Sequence, residues 1–202
     1  KHSAIYGLGG LVSRILAVLL LPLYTRYLST SDYGKVETLV AATTVLAIVL
    51  RGGISSAFFR FTFDSQDPER RRAVLRTSFW FTMTTATAGL AGGLVLSGSI
   101  ARALFGHDGD WKLVAAAFVG LWAQMNYEQL TSVFRVEERS VAYVCASLAN
   151  ILITVGVTVA LVVAFDQGPL GVIVGNFTGT LAVYLALLGY RREQLGLTFD
   201  RG

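Results

Sequence analysis

Three charged residues sit inside long apolar runs: Arg14 in GLVSRILAVLLLPL, Arg51 in TVLAIVLRGGISS and Glu128 in LWAQMNYEQLTSV. A charge at the centre of a bilayer costs about 2.5–3.5 kcal/mol on insertion scales, so such residues face a protein interior or a water-filled cavity and mark function. An arginine there presents a planar fork of donors that suits a phosphate and keeps its charge when partly dehydrated. Arg14 lies on a small face with Gly7, Gly10 and Ala17, which suits a cavity wall or a close helix contact. Helical spacing extends the polar pattern. Glu37, Thr44, Ala47, Arg51 and Ser55 form one stripe, Gln124, Glu128, Thr131 and Arg135 a second, and Ser147, Asn150, Thr154 and Thr158 a third.

The chemistry expected of these residues is binding rather than catalysis. A cationic, hydroxyl-rich cavity lined by Arg14, Arg51, Thr44, Ser55, Gln124 and Asn150 would take an anionic, hydroxylated amphiphile. Arg51 and Glu128 fall at similar depth, about 17 residues from the starts of their helices, or about 25 Å at the helical rise, so they can pair across the cavity. The rival reading is an ion pair that only fixes helix register. No Ser/His/Asp grouping and no His/Glu metal spacing lies within a helix, and both histidines lie outside the apolar runs. Neither an enzyme nor a cofactor, metal or nucleic-acid partner is expected.

The elements that must position these residues follow from composition. The chain has 202 residues, 53% of them hydrophobic and 15% charged, and a mean hydropathy of +0.58, which departs from a soluble domain. Runs of roughly 20 apolar residues read as membrane helices, and six are expected, over 5–27, 34–59, 73–98, 111–134, 141–165 and 169–190. A buried soluble bundle would keep a polar face on its helices, which most of these lack. The expected class is an all-α polytopic membrane protein, a single six-helix unit over 1–202.

Charge sets the orientation. With a cytoplasmic N-terminus, the inner side holds Lys1, Arg60, Arg70, Arg71, Arg72, Arg76, Arg135, Arg139, Arg191, Arg192 and Arg201, against Arg26, Lys35, Arg102 and Lys112 outside. That asymmetry predicts both termini in the cytoplasm. In the inner loop, Asp67 is expected to cap a helix entered by Pro68 and Glu69. The arginines after it read as a topology anchor against anionic lipid, with phosphate binding as the alternative. In GHDGDWK, His107, Asp108 and Asp110 read as a solvated turn before an interfacial Trp111 rather than as metal ligands. Gly171, Gly175 and Gly179, and Gly89 with Gly93, predict close helix packing. The lone Cys145 is expected to pack inside the fifth helix.

Two stretches carry a family resemblance: GLVSRILAVLLLPLYTRYLSTSDYGKVE, from Gly10 to Glu37, and LRGGISSAFFRFTFD, from Leu50 to Asp64. The first, with Ser13–Arg14 and the loop Asp32–Tyr33–Gly34, resembles the opening helix of the oligosaccharide and polysaccharide flippases, a family of the superfamily that holds the MATE drug exporters. The second resembles that family's second helix. The resemblance implies one lobe of a MATE-like flippase, with a second lobe absent here and supplied by a C-terminal half or a second copy. It also implies transport of a polyprenyl-diphosphate-linked oligosaccharide across the cytoplasmic (inner) membrane by alternating access, for cell-surface polysaccharide such as lipopolysaccharide. The resemblance implies that cavity arginines on the first two helices engage the diphosphate or acidic sugars, and Arg14 and Arg51 occupy matching positions. The partners implied are the lipid-linked oligosaccharide and membrane lipid. Two alternatives stand beside this function: a cation-coupled multidrug exporter of the same fold, with Glu128 as coupling residue, and a non-transporting membrane partner of glycan-synthesis enzymes.

Overall fold

The computed structural model describes residues 22, 24–64, 67–192 and 195, and these are helical with short connections and no strand. Helix α1, Thr30–Arg51, starts where the Ser29 hydroxyl accepts the Asp32 N–H at 3.1 Å, and Asp32 itself complements the positive end of the helix dipole. It stops at Gly52 and Gly53, with φ of 50° and 79°. Two successive left-handed residues end a helix and are tolerated where no Cβ is present. Helix α2 then restarts at Ile54 and runs to Asp64. The continuous second span expected over 34–59 is therefore two helices, and Arg51 lies in the last turn of the first instead of mid-helix.

Helix α3, Pro68–Val95, has the expected entry: Asp67 accepts the Glu69 N–H at 3.0 Å and Pro68 opens the helix. At Leu96 the chain bends by 71° into α4, Ser97–Phe105, so the third apolar run does not continue straight to residue 98. Helix α5 is Trp111–Val136 and α6 is Ser140–Val159, continued by a π-helical turn over Ala160–Ala164. Helix α7 is Gly168–Arg191. Among the described residues, three helices are long and apolar enough to cross a membrane: Thr30–Arg51, Ser140–Ala164 and Gly168–Arg191. The bent pair α3–α4 makes a fourth if it counts as one span. Of the first expected span, over 5–27, only the last few residues are among those described.

Helix α5 stands at the centre and packs against α1, α2, α3, α4, α6 and α7. Its place explains its composition. Asn126, Gln129, Thr131 and Ser132 are buried on it; Asn126, Thr131 and Ser132 donate to carbonyls of their own helix, and Gln129 bonds across to a neighbour. The Gln129 amide donates to Ser78 at 3.0 Å, and the Trp122 indole donates to Thr87 at 3.0 Å, tying α5 to α3. Outward-facing positions are apolar by contrast, with Val45, Ile48, Val49, Val95 and Leu152 exposed. Polar groups kept inside an otherwise apolar bundle suit lipid, because helix association there rests on packing and interhelical hydrogen bonds.

The expected glycine faces are used within the chain. A Cβ on Gly175 would lie 2.5 Å from the Thr158 Cα, and one on Gly179 would strike the Asn150 carbonyl, so α6 and α7 meet backbone to backbone. Gly93 and Gly89 of α3 are covered by Phe118 and Leu50. Cys145, expected inside its helix bundle, is instead exposed on α6.

Candidate functional site: the Arg51 and Glu128 pair

Parallel helices bring the pair together. At one end of the bundle Lys35 of α1 meets Asp110, at the start of α5, at 2.8 Å. Arg51 follows Lys35 by 16 residues and Glu128 follows Asp110 by 18, about 24 and 27 Å along the two helices at the helical rise. The Arg51 Nη2 to Glu128 Oε2 distance is 2.7 Å. Gln124, one turn earlier on α5, donates its amide to the other Glu128 oxygen at 2.5 Å. As the last residue of α1, Arg51 also complements the negative end of the helix dipole.

The pair is not sealed. The side chains of Arg51 and Glu128 are 25% and 36% exposed, so solvent or a ligand reaches both charges. Sealed pairs and open pairs behave differently: a guanidinium at an open edge can exchange one oxygen-bearing partner for another without crossing a dry interior.

The other expected site residues are placed separately. Thr44 is exposed on α1, and its hydroxyl donates to the Val40 carbonyl of its own helix at 2.7 Å. Ser55 is exposed on α2, beyond the break, so it does not continue the α1 stripe. Asn150 lies on the α6–α7 seam, where its amide oxygen accepts from Thr154 at 3.2 Å and Thr180 at 3.3 Å. The Tyr127 hydroxyl faces Asn150 and Ser147 as well. The structure thus gathers Arg51, Glu128 and Gln124, and puts Asn150 on another side of α5. The third stripe packs against the glycine face of α7 rather than sharing one interior with the first two. Arg14 lies outside the described residues.

Other charged groups are engaged structurally. Arg191, one of the expected inner-side charges, is 2% exposed and clasps Glu137 with both terminal nitrogens, at 2.8 and 2.5 Å. Its guanidinium also lies 4.5 Å from the centre of the Phe134 ring. A terminal arginine beside a tyrosine reads from sequence as an interface charge; the signal for a buried pair was the matching acid at the same end of a parallel helix. In the GHDGDWK turn, Asp108 accepts from Arg102 at 2.9 Å, and Asp110 is held by Lys35 with His107 at 3.6 Å. The hydrogen bond from Arg102 holds the Asp108 carboxyl below the usual carboxylate range. No group of three metal-ligating side chains occurs among the described residues. Trp111 is 48% exposed beside this turn, as an interfacial anchor would be.

Several long apolar helices packed with a central one that buries a few polar groups make a multi-pass membrane protein. No curated protein and no solved structure matches the chain. A family model described as "Polysaccharide biosynthesis protein" matches residues 1–199, nearly the whole chain. The chain belongs to that polysaccharide biosynthesis family, a family of transporters and flippases rather than of enzymes.

Proposed function

We propose that the protein carries a polyprenyl-diphosphate-linked oligosaccharide across the cytoplasmic membrane by alternating access, with no chemical change to it. Both termini lie in the cytoplasm, so the Lys35–Asp110 end of the bundle is outermost and the Arg191–Glu137 end innermost. The observation that carries the reading is the half-open pair of Arg51 with Glu128, hung at the end of a helix that breaks at Gly52–Gly53.

In the resting arrangement Glu128 occupies the guanidinium that a diphosphate would take. A diphosphate brings more charge and more acceptor oxygens than a carboxylate, so it competes well for a planar fork of donors. Glu128 does not become an orphan when displaced, because Gln124 still donates to it. Arg14 would supply a second cation, and Thr44 and Ser55 would supply hydroxyls toward the sugar. A further six-helix lobe or a second copy would close the open side of the cavity.

A charge swap separates this reading from a pair that only sets register. In the intact protein, Arg51→Glu with Glu128→Arg keeps an ion pair between α1 and α5. Anion binding at Arg51 predicts that the swapped protein inserts and remains folded, yet exports surface polysaccharide at a small fraction of the normal level. Full export by the swapped protein would assign the pair to helix register alone.

A further inference from the structure

The Arg191 end of the bundle holds a concave feature, away from Arg51. A cleft of about 700 Å³ opens between α2, the start of α3 and the end of α5. Its floor is apolar, made by Phe58, Leu75, Val133 and Val136, and its wall carries Arg71, Arg72 and Arg76. Two acids also line it, but both are occupied: Glu137 by Arg191, and Glu69 by Arg72 at 3.2 Å in a well-exposed pair. Arg76 makes no ion pair among the described residues, and is exposed. The cleft also borders the first turn of α3, a 28-residue helix whose positive dipole end adds to the cationic wall.

We infer that this cleft binds one anionic phospholipid of the leaflet on that side, its phosphate against Arg71 and Arg76 and its glycerol and upper acyl carbons on the Phe58, Leu75, Val133 and Val136 floor. The volume falls in the range of small-ligand sites. A free phosphate would use the arginine wall and leave the apolar floor wet, whereas a zwitterionic lipid would bring its own cation toward three arginines. An anionic phospholipid matches both surfaces. It also sits against α2, the segment freed from α1 by the glycine break, and holds it to α3 and α5. This inference does not depend on which substrate the protein carries.

The test uses the intact purified protein in nanodiscs, with phosphatidylcholine alone or mixed with phosphatidylglycerol, read by native mass spectrometry and by thermal denaturation. The expected result is one retained phosphatidylglycerol per copy and a raised melting temperature in the mixed discs. With about fivefold contributed per basic residue near a lipid surface, Arg71→Gln with Arg76→Gln is expected to weaken retention by about thirtyfold. Arg60→Gln removes an exposed charge from α2 at the same end but outside the cleft lining, and is expected to change retention little. Equal losses from Arg60→Gln and from the cleft pair would reduce the arginines to a diffuse surface field and overturn the site. So would equal retention of phosphatidylcholine, the same thermal shift from inorganic phosphate alone, or displacement of the lipid by a polyprenyl diphosphate at equal concentration.

Discussion

Replacing Glu137 with alanine removes the carboxylate that a buried cation clasps. Arg191 is 2% exposed, and Glu137 occupies both of its terminal nitrogens at 2.8 and 2.5 Å. Removing one partner of a buried ion pair costs about 3–5 kcal/mol, because the other charge is left without compensation. Two features place this case at the lower end. The Glu137 side chain is 33% exposed, so water can follow into the gap, and the Phe134 ring 4.5 Å from the guanidinium keeps part of the attraction. About 3 kcal/mol for a chain of this size corresponds to a melting temperature lower by about 6–12 °C. Thermal denaturation of the intact protein in detergent reads that shift. Adding Arg191→Met removes the buried charge and is expected to recover most of the loss, since an apolar side chain of similar volume often replaces a buried pair without penalty. A drop below about 2 °C for Glu137→Ala, or a double variant no better than the single one, would refute the reasoning.

Gly175→Ala places a Cβ 2.5 Å from the Thr158 Cα on the facing helix; overpacking there is expected to destabilise by about 1–3 kcal/mol, visible as a lower melting temperature, whereas Gly92→Ala, with no atom within 4 Å, should change little. Arg102→Ala is expected to move the Asp108 carboxyl back up toward its ordinary value, followed by carbon NMR of the labelled side chain. The sign follows from the lowered value: the ion pair contributes above the usual carboxylate range and its contribution is lost as pH falls through the depressed value. A carboxyl that titrates unchanged in Arg102→Ala would show that the hydrogen bond is not its cause.

Much of the arrangement was legible because lipid imposes simple rules. Apolar length marked the helices, and the Asp67–Pro68 pair marked where α3 begins. Counting along two parallel helices put Arg51 and Glu128 at one depth, and they lie 2.7 Å apart. The glycine break at Gly52–Gly53 was not legible from hydropathy. Small residues inside an apolar run read equally as a packing face or as a hinge, and a left-handed backbone is a property of φ, on which composition is silent. Asn150 shows the same ambiguity for polar stripes. A hydroxyl and amide row has one spacing whether it lines water or a glycine seam, and here the carbonyl and side chain of Asn150 meet Gly179 and Thr180. The burial of Arg191 was not legible for a different reason, since a last-turn arginine ordinarily reaches the interface, and only the position of Glu137 in space turns it inward.

The central claim is that Arg51 receives the diphosphate of a lipid-linked oligosaccharide as it crosses the membrane. Its most direct test is translocation of a fluorescent polyprenyl-diphosphate-linked oligosaccharide in vesicles that contain the intact protein. Movement between leaflets is expected with the wild-type protein, falling by roughly 10–100-fold in Arg51→Ala, the loss expected for one charged hydrogen-bonding partner, with the protein still folded. Movement no faster than in protein-free vesicles, or movement undiminished by Arg51→Ala, would contradict the claim.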